Sequence, residues 1–326
     1  MRPLSRSGPV YCPILLFAAG LFVAAGSATA PKDKFETACT PFNSTAVHHP
    51  IDTSCGAAGD NTKAAGILQN QTKNNLCAKE PATDISLATL VDLHKQVVRQ
   101  NQFSFGTDAK LNNNADRSAL ASFKTTDANG TKVDLGEGKL VSLDAFVLQA
   151  KHDDIPLLNP NFKGESVNCH DLTPEGNDIH VALVDSADKV AAWQKAAKPQ
   201  QDQIECTSVT AEIIPHSRPD QWNRIDSHPN TAPAVHGLPV TGLHVKITGQ
   251  LFFDGSHDPK NCAPPKRSSS WEIHPVYAIE VQDGSGFEAF DKWAEQQQST
   301  VGSSGSANKN THRPHRRRRR HRTTTP

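Results

Sequence analysis

A change of hydrophobic period at Lys132 constrains the fold more than any other feature of the sequence. Beyond it, apolar side chains recur at every second position in segments rich in Val, Ile, Leu and Phe, separated by Gly, Pro, Asn and Asp clusters. These segments span residues 139–150, 179–185, 204–214, 240–253 and 271–282. Alternation with period two is typical of strands with one buried face. Five strands with irregular loops predict a small antiparallel barrel or sandwich.

Helical spacing precedes and interrupts these strands. Apolar residues recur from Ile85 to Val98 after turn and N-cap residues at 81–84, which predicts a helix. Further helices are expected over 64–76, within 185–198, and from Phe287 onward as a lid on the barrel. The region 31–130 has too few apolar residues for a large core of its own, so we expect it to pack on the barrel.

The two ends of the chain differ from its middle. Residues 1–30 combine Arg2 and Arg6, an apolar run from Ile14 to Ala25 and an A-x-A sequence ending at Ala30, which is typical of a secretory signal peptide. An uncleaved membrane anchor is the alternative, although the run is shorter than a spanning helix requires. We therefore divide the chain into a signal peptide (1–30), a mostly helical region (31–130), a barrel with a C-terminal helix (131–298), and a disordered Ser/Gly linker with a basic tail (299–326).

The net charge of zero hides a strong asymmetry. Of 34 basic residues, two lie in 1–30 and eight in 309–326, and neither stretch holds an acidic residue. The middle therefore carries 24 basic against 34 acidic residues. A basic tail on an acidic body predicts a polyanion partner for the tail. The arginines assigned to that contact are Arg313, Arg316, Arg317, Arg318, Arg319, Arg320 and Arg322.

Cysteine usage points to an oxidising compartment. Once Cys12 leaves with the signal, six cysteines remain, and an even number in an exported chain predicts disulfides and a secreted or periplasmic location. Three lie before residue 100 and three after it, so at least one bridge joins the two regions if all six pair. The first predicted pair is Cys169 with Cys206. The second is Cys55 with Cys77, which leaves Cys39 and Cys262 as a bridge between regions.

Sorting the strands by face produces one polar surface if the strands are neighbours. It would hold His180, Glu212, His244, Lys246, Glu272 and His274. The simplest interpretation is a solvated outer face, and the alternative is a ligand site with His180, Glu212, His244 and His274 as candidates. The loop 215–222 adds His216, Arg218 and Trp222 as candidate anion ligands, against the alternative of an ordinary capped turn.

Several histidines have acidic neighbours, as in Asp178-Ile179-His180 and His257-Asp258. Such groups can bind a divalent metal or serve acid–base catalysis. No standard zinc motif is present, so no metal ligand is assigned and no cofactor is predicted, and a divalent metal stays open. The sequence also lacks G-x-S-x-G, a P-loop and a dinucleotide fingerprint, so no catalytic residue is assigned.

Four stretches carry a resemblance to a known group. They are Q-N and K-N-N-L-C-A within 69–78, G-E-S-V-N-C-H at 164–170, T-G-Q-L-F-F-D at 248–254 and S-W-E-I-H-P-V at 270–276. Together they resemble exported bacterial proteins of unknown function that carry an OB-like β-barrel. The resemblance covers roughly residues 39–282 and implies no catalytic residue. The expected fold class is α+β, a small antiparallel OB-like β-barrel with an N-terminal helical region and a disordered basic tail.

Three functions follow from these expectations. The first is an exported binding protein that uses the polar face and loops of the barrel. The second is a metal-dependent hydrolase, a phosphoesterase or nuclease, that uses the His/Asp groups, and the third is a structural envelope protein. The acidic body argues against nucleic acid as the ligand of the barrel, which favours a saccharide or peptide.

Overall fold

The computed structural model describes residues 34–35, 39, 47–79, 81–100, 117–153, 155–156, 160–161, 163–264, 266–284 and 286–304. The predicted signal peptide and the arginine-rich tail lie outside the described residues. Within the described part, no helix combines the length and apolar character needed to cross a membrane.

The described part of the chain forms both helices and strands. The helices are α1 (Ile51–Ser54), α2 (Ala64–Lys73), α3 (Leu87–Gln100), α4 (Ala187–Lys195), α5 (Lys198–Glu205) and α6 (Phe290–Ser304). The strands are β1 (Thr83–Ile85), β2 (Phe123–Thr126), β3 (Lys132–Leu135), β4 (Leu140–His152), β5 (Ile179–Val184), β6 (Val209–Ile213), β7 (His244–Phe253), β8 (Trp271–Gln282) and β9 (Phe287–Ala289). The α+β class is confirmed.

Five strands close into a barrel in the order β4, β5, β6, β8, β7 and back to β4. The pairs β4–β5, β5–β6, β7–β8 and β4–β7 are antiparallel, whereas β6 and β8 run parallel where Ala211 faces Ile273. The expectation of an antiparallel barrel is therefore only partly right. A closed ring with an odd number of strands must contain a parallel neighbour pair, because directions that alternate around it cannot match at the closure.

The inward faces of these strands form the main hydrophobic core, as the alternation predicts. Leu143, Leu183, Val209, Ile247 and Leu251 are all 0–1% exposed. The register of β7 with β8 shifts on both sides of Gly249. A Cβ on Gly249 would lie only 2.4 Å from the carbonyl oxygen of Pro275, so the two backbones approach closely at this irregularity.

The N-terminal region shares this core. Leu90, Leu93 and Val97 of the amphipathic helix α3 belong to the same cluster of buried residues as the barrel interior. Ser86 and Thr89 cap this helix reciprocally, since each side-chain oxygen accepts a hydrogen bond from the backbone N–H of the other at 3.2 Å. The expected packing of this region on the barrel is therefore seen.

The C-terminal helix differs in its limits from the expectation. Phe287 lies in β9 and is 36% exposed, because the chain first adds a short strand to β8. The helix α6 starts at Phe290, whose buried ring lines a small gap in the barrel together with Val147 and Val181. It continues to Ser304, so residues 299–304, which we expected in the linker, are helical.

Three disulfides join Cys39 to Cys77, Cys55 to Cys169 and Cys206 to Cys262. The predicted pairs Cys169–Cys206 and Cys55–Cys77, and with them the remaining bridge Cys39–Cys262, are wrong. Cys169 follows a 3-10 helix (Ser166–Asn168) that contacts the N-terminal region, where the backbone N–H of Asp60 donates to Ser166 O at 3.0 Å. Because Cys55–Cys169 joins the two regions, the inference that complete pairing requires such a bridge is confirmed.

Candidate functional site

Strand register brings three of the predicted site residues together on the outer face of the barrel. His180 in β5 lies directly opposite Glu212 in β6. The strand β6 runs parallel to β8, where Ala211 faces Ile273. Because neighbouring residues alternate between the two sides of a strand, Glu212 and His274 both point away from the core.

These side chains belong to a continuous series of alternating charges, which we call the charge chain. It consists of Lys151, Asp153, His180, Glu212, His274, Glu272, Arg267, Asp254 and His257. His180 contacts Asp153 through Nδ1 at 3.0 Å and Glu212 through Nε2 at 3.1 Å. The second oxygen of Glu212 lies 2.7 Å from Nδ1 of His274. Each carboxylate of the charge chain therefore lies between two basic groups.

The far end of the charge chain is held by one guanidinium. Glu272 lies 3.3 Å from Nδ1 of His274 through one oxygen and accepts a hydrogen bond from Arg267 at 2.7 Å through the other. Arg267 also donates to Asp254 at 2.6 Å. Asp254 in turn contacts Nδ1 of His257 at 2.5 Å.

The charges of this arrangement reinforce one another. Burial raises the pKa of Glu212, but His180, His274 and Lys73 lower it more, so that the pKa falls well below its usual range. Burial lowers the pKa of His274, yet Glu212 outweighs that effect and raises it to about 10. Glu212 and Asp153 likewise outweigh burial and raise the pKa of His180. In the folded protein, the imidazolium and carboxylate forms are therefore favoured together.

The inner part of the charge chain is enclosed, so the interpretation of this surface as a solvated outer face is wrong there. Glu212, Glu272 and His274 are at most 3% exposed. The end of α2 and the segment after it, which together we call the covering segment, pack over them: the side chain of Gln250 donates to Thr72 O at 2.9 Å, and the hydroxyl of Tyr277 donates to Asn75 O at 2.8 Å. A contribution from such a distant segment could not be predicted from strand alternation.

A lysine of this covering segment contacts a carboxylate of the charge chain. Lys73, the last residue of α2, lies 3.2 Å from Glu165 and 3.8 Å from Glu212. Burial lowers its pKa, but Glu165 and Glu212 outweigh that and raise it well above the ordinary value. Sequence reasoning missed Lys73, because its helix is polar and carries no pattern that marks one lysine among several.

The exposed end of the charge chain opens into a cavity of about 300 Å³, which we call the lysine pocket. It is lined by Gln149, Lys151, Asp153, His180, Ala182, Lys198, Glu205, Ser208, Thr210, His228, Pro264 and Lys266. Three lysines and the His180 imidazolium thus face two carboxylates. Behind them, Asp202 contacts both Lys198 and Lys266, the latter at 2.6 Å.

Two further groups change the charge of the pocket in opposite directions. Burial raises the pKa of Glu205, and the nearby Lys266 and Lys198 offset this only in part. Burial and the charge of Lys151 lower the pKa of His228, which favours the neutral imidazole. The lining of the pocket therefore concentrates four basic groups, each paired with at least one carboxylate, on a body that is acidic overall.

His244 and Lys246, also predicted on the polar surface, lie apart from the lysine pocket. His244 contacts Asp144 and Gln282, and its ring stacks on Phe146 with the ring centroids 4.5 Å apart. Lys246 lies 3.6 Å from Asp84 in β1, the strand that pairs with the first half of β4. Both residues lie outside the lysine pocket because their strand, β7, pairs with β4 and β8 and not with β5 or β6.

The loop candidates His216, Arg218 and Trp222 are buried and bound to protein groups. His216 contacts Asp52 at 2.8 Å through Nδ1. Arg218 donates to the carbonyl oxygens of residues 174 and 177, each at 2.6 Å. Trp222 donates through Nε1 to Asp291 at 2.8 Å. These side chains fasten the N-terminal region, a loop and α6 to the barrel, so they do not form an open anion site.

Comparisons with family models, with curated proteins and with solved structures found no significant match to this chain. The functional argument therefore depends on the shape and charge of the lysine pocket and of the charge chain behind it.

Proposed function

We propose that the protein is an exported binding protein whose ligand is an anionic group of a saccharide or peptide, held in the lysine pocket. The observation that carries this proposal is the convergence of Lys151, Lys198, Lys266 and His180 on one cavity of about 300 Å³. Clustered positive charges attract anions most strongly in a concave, partly desolvated site. A cavity at the lower end of the usual range for ligand pockets suits one residue of an oligomeric ligand.

We further propose that the barrel is OB-like and that the chain belongs with the exported bacterial proteins it resembles. OB barrels have five strands, and they bind oligosaccharides and oligonucleotides across the face of their second and third strands. In this barrel those strands are β5 and β6, which contribute His180 and Thr210 to the lysine pocket. The proposed ligand therefore lies on the surface that such barrels use.

The position of His180 favours binding over hydrolysis. Both ring nitrogens contact carboxylates, so neither is free to take a proton from an attacking water. Glu205 and His228 are the remaining groups for acid–base chemistry in the pocket, and a hydrolase must use them. A purely structural envelope protein, in contrast, needs no ligand in the pocket at all.

The test is calorimetric titration of the full chain with short saccharides and peptides that carry one sulfate, phosphate or carboxylate, each beside its neutral analogue. We expect the charged compounds alone to bind. The double variant Lys151→Gln/Lys266→Gln removes two pocket cations, and its affinity should fall by roughly tenfold or more, which corresponds to about 1.4 kcal/mol.

Lys189→Gln is the matched control, because Lys189 pairs with Asp185 on α4, outside the pocket. The control variant should bind like the wild type, and the arginine-rich tail is the same in all three proteins. Equal affinity of wild type and double variant would overturn the proposal. Cleavage of a bound compound, detected by mass spectrometry, would assign the pocket to a hydrolase instead.

Export and a second partner complete the proposal. Disulfides persist in oxidising compartments, so the three observed pairs support a secreted or periplasmic location. The tail is proposed to bind a polyanion through its arginines, independently of the lysine pocket, because a run of positive charge needs no fold to attract phosphate-rich surfaces.

A further inference from the structure

Two residues of the charge chain, Glu212 and His274, form a group of potential metal ligands with Asp178, enclosed by the N-terminal region. Asp178, Glu212 and His274 each offer one ligand atom, and these three atoms lie within 4.8 Å of one another. The three residues are 2%, 3% and 0% exposed, respectively. We propose that this Asp–Glu–His cluster binds one divalent transition-metal ion that stabilises the fold.

Unpartnered polar atoms are the first argument for this ion. Among the described residues, both carboxylate oxygens of Asp178 and Nε2 of His274 are buried without a hydrogen-bond partner. Buried polar groups are nearly always satisfied, because a group that leaves water without a new partner costs free energy. A cation between these residues would give the Asp178 carboxylate the partner that the surrounding protein does not supply.

The contacts of His274 are the second consideration. Glu212 and Glu272 both contact Nδ1 of His274, at 2.7 and 3.3 Å, which leaves Nε2 without a partner. Because a metal ligand must be a neutral imidazole, binding of the ion would displace one proton from His274. Lys73 lies closer to Glu165 than to Glu212, so it does not occupy the centre of the cluster.

The donor set indicates the class of ion. One imidazole with two carboxylates suits first-row transition metals such as Zn²⁺ and Mn²⁺. Ligand atoms around one zinc ion lie about 3.4 Å apart, given metal–ligand distances near 2.1 Å and a tetrahedral arrangement. A pair of ligand atoms at the 4.8 Å limit would have to approach by about 1.4 Å to reach that separation. Because all three residues are enclosed, the ion would act on stability and not on a substrate.

The experiment measures the metal content of the untagged full chain by mass spectrometry, after expression with Zn²⁺ and Mn²⁺ in the medium. We expect about one ion per chain. Asp178→Asn keeps the side-chain shape but removes a ligand charge, and it should lower the content roughly tenfold or more. Asp144→Asn is the matched control, because Asp144 contacts a histidine outside the cluster and is 57% exposed. The histidines of the tail are common to all three proteins.

A second readout uses stability alone. A chelator should lower the melting temperature of the wild type by several degrees, and added Zn²⁺ or Mn²⁺ should restore it, because an ion that binds only the folded state stabilises it. Asp178→Asn should respond to neither. A metal-free wild type that responds to neither addition would overturn the proposal, and equal metal content in Asp178→Asn would also overturn it. If that variant does not fold, the change in the melting temperature of the wild type on adding chelator and then metal tests the proposal by itself.

Discussion

Arg267 is the residue on which the buried end of the charge chain most depends. Its side chain is 2% exposed and donates to Asp254 and Glu272. Arg267→Met would keep an unbranched chain but leave two enclosed carboxylates without their shared cation. We expect the free energy of unfolding, measured in urea, to fall by about 3–5 kcal/mol.

An exposed ion pair provides the comparison for this variant. Lys124 and Asp134 pair on the hairpin of β2 and β3, where their side chains are 82% and 49% exposed. Lys124→Met should cost less than about 1 kcal/mol, since solvent screens such pairs. A loss for Arg267→Met as small as that of Lys124→Met would show that the guanidinium does not hold the two carboxylates.

We expect His152 to make the stability of the protein depend on pH, because burial favours its neutral imidazole form. Burial lowers its pKa below the usual 6.5, although Asp226, at 2.9 Å, partly opposes this. The unfolded chain therefore binds more protons, and the contribution of His152 to stability is lost as the pH falls through about 6.5. The stability advantage of the wild type over His152→Gln should shrink between pH 7.5 and 5.5, by at most about 1.4 kcal/mol per pH unit. Urea unfolding of both proteins at the two pH values measures this advantage. An advantage that grows as the pH falls would mean that His152 is charged in the folded protein.

At the scale of single residues, strand alternation was enough to place His180, Glu212 and His274 on one face. It could not tell that His244 lies on another part of the barrel, because alternation gives the side of a strand and not its neighbour. Lys73 joins them from the end of α2, far away in sequence. Its position follows from how the chain folds over the barrel, which no local pattern encodes. Asp178 lies only two residues before His180, but alternation could not show that its side chain is enclosed.

Among the strands, β7 offers the clearest test of the barrel core. Ile247 is 1% exposed and pairs in register with both Leu143 and Ile279. Ile247→Ala should lower the free energy of unfolding by about 2–5 kcal/mol, because it leaves a cavity among close-packed neighbours. Val98→Ala is the control, since Val98 is 50% exposed on α3 and should cost well under 1 kcal/mol. Equal losses for the two variants would argue against a packed barrel interior.

Elements with a buried face were predictable, and elements without one were not. The long strands β4, β7 and β8 begin and end within a few residues of the segments expected from alternation. The helix α5 has no buried residue, so its sequence carries no periodic apolar signal, and its last residues were assigned to the following strand. The parallel pairing of β6 with β8 also escaped prediction, because it follows from the closure of the barrel and not from either strand alone.

For the whole molecule, cysteine parity indicated a covalent link between the two regions but not its position. Cys55–Cys169 joins α1 to the loop before β5. Nearby, the side chain of Asn70 donates to Ser166 Oγ at 3.2 Å, so the covering segment and this loop are fastened together. The enclosure of the charge chain is thus a property of the complete fold. The same dependence on distant segments made the disulfide pairing unpredictable from sequence.

The last prediction concerns the arginine-rich tail, which lies outside the described residues and is argued from charge. All eight basic residues of 309–326 lie beyond α6, so deletion of 305–326 should leave the melting temperature nearly unchanged and abolish retention on heparin. Binding of the full chain to duplex DNA should weaken with salt at a log–log slope of about −5 to −7, for roughly five to eight phosphates neutralised. Replacement of Arg316–Arg320 by glutamine keeps the length of the tail and should make this slope shallower by about 4 to 5, because each lost cation releases one counterion fewer. A truncated protein that binds heparin or DNA as tightly as the full chain would move the polyanion site from the tail to the lysine pocket.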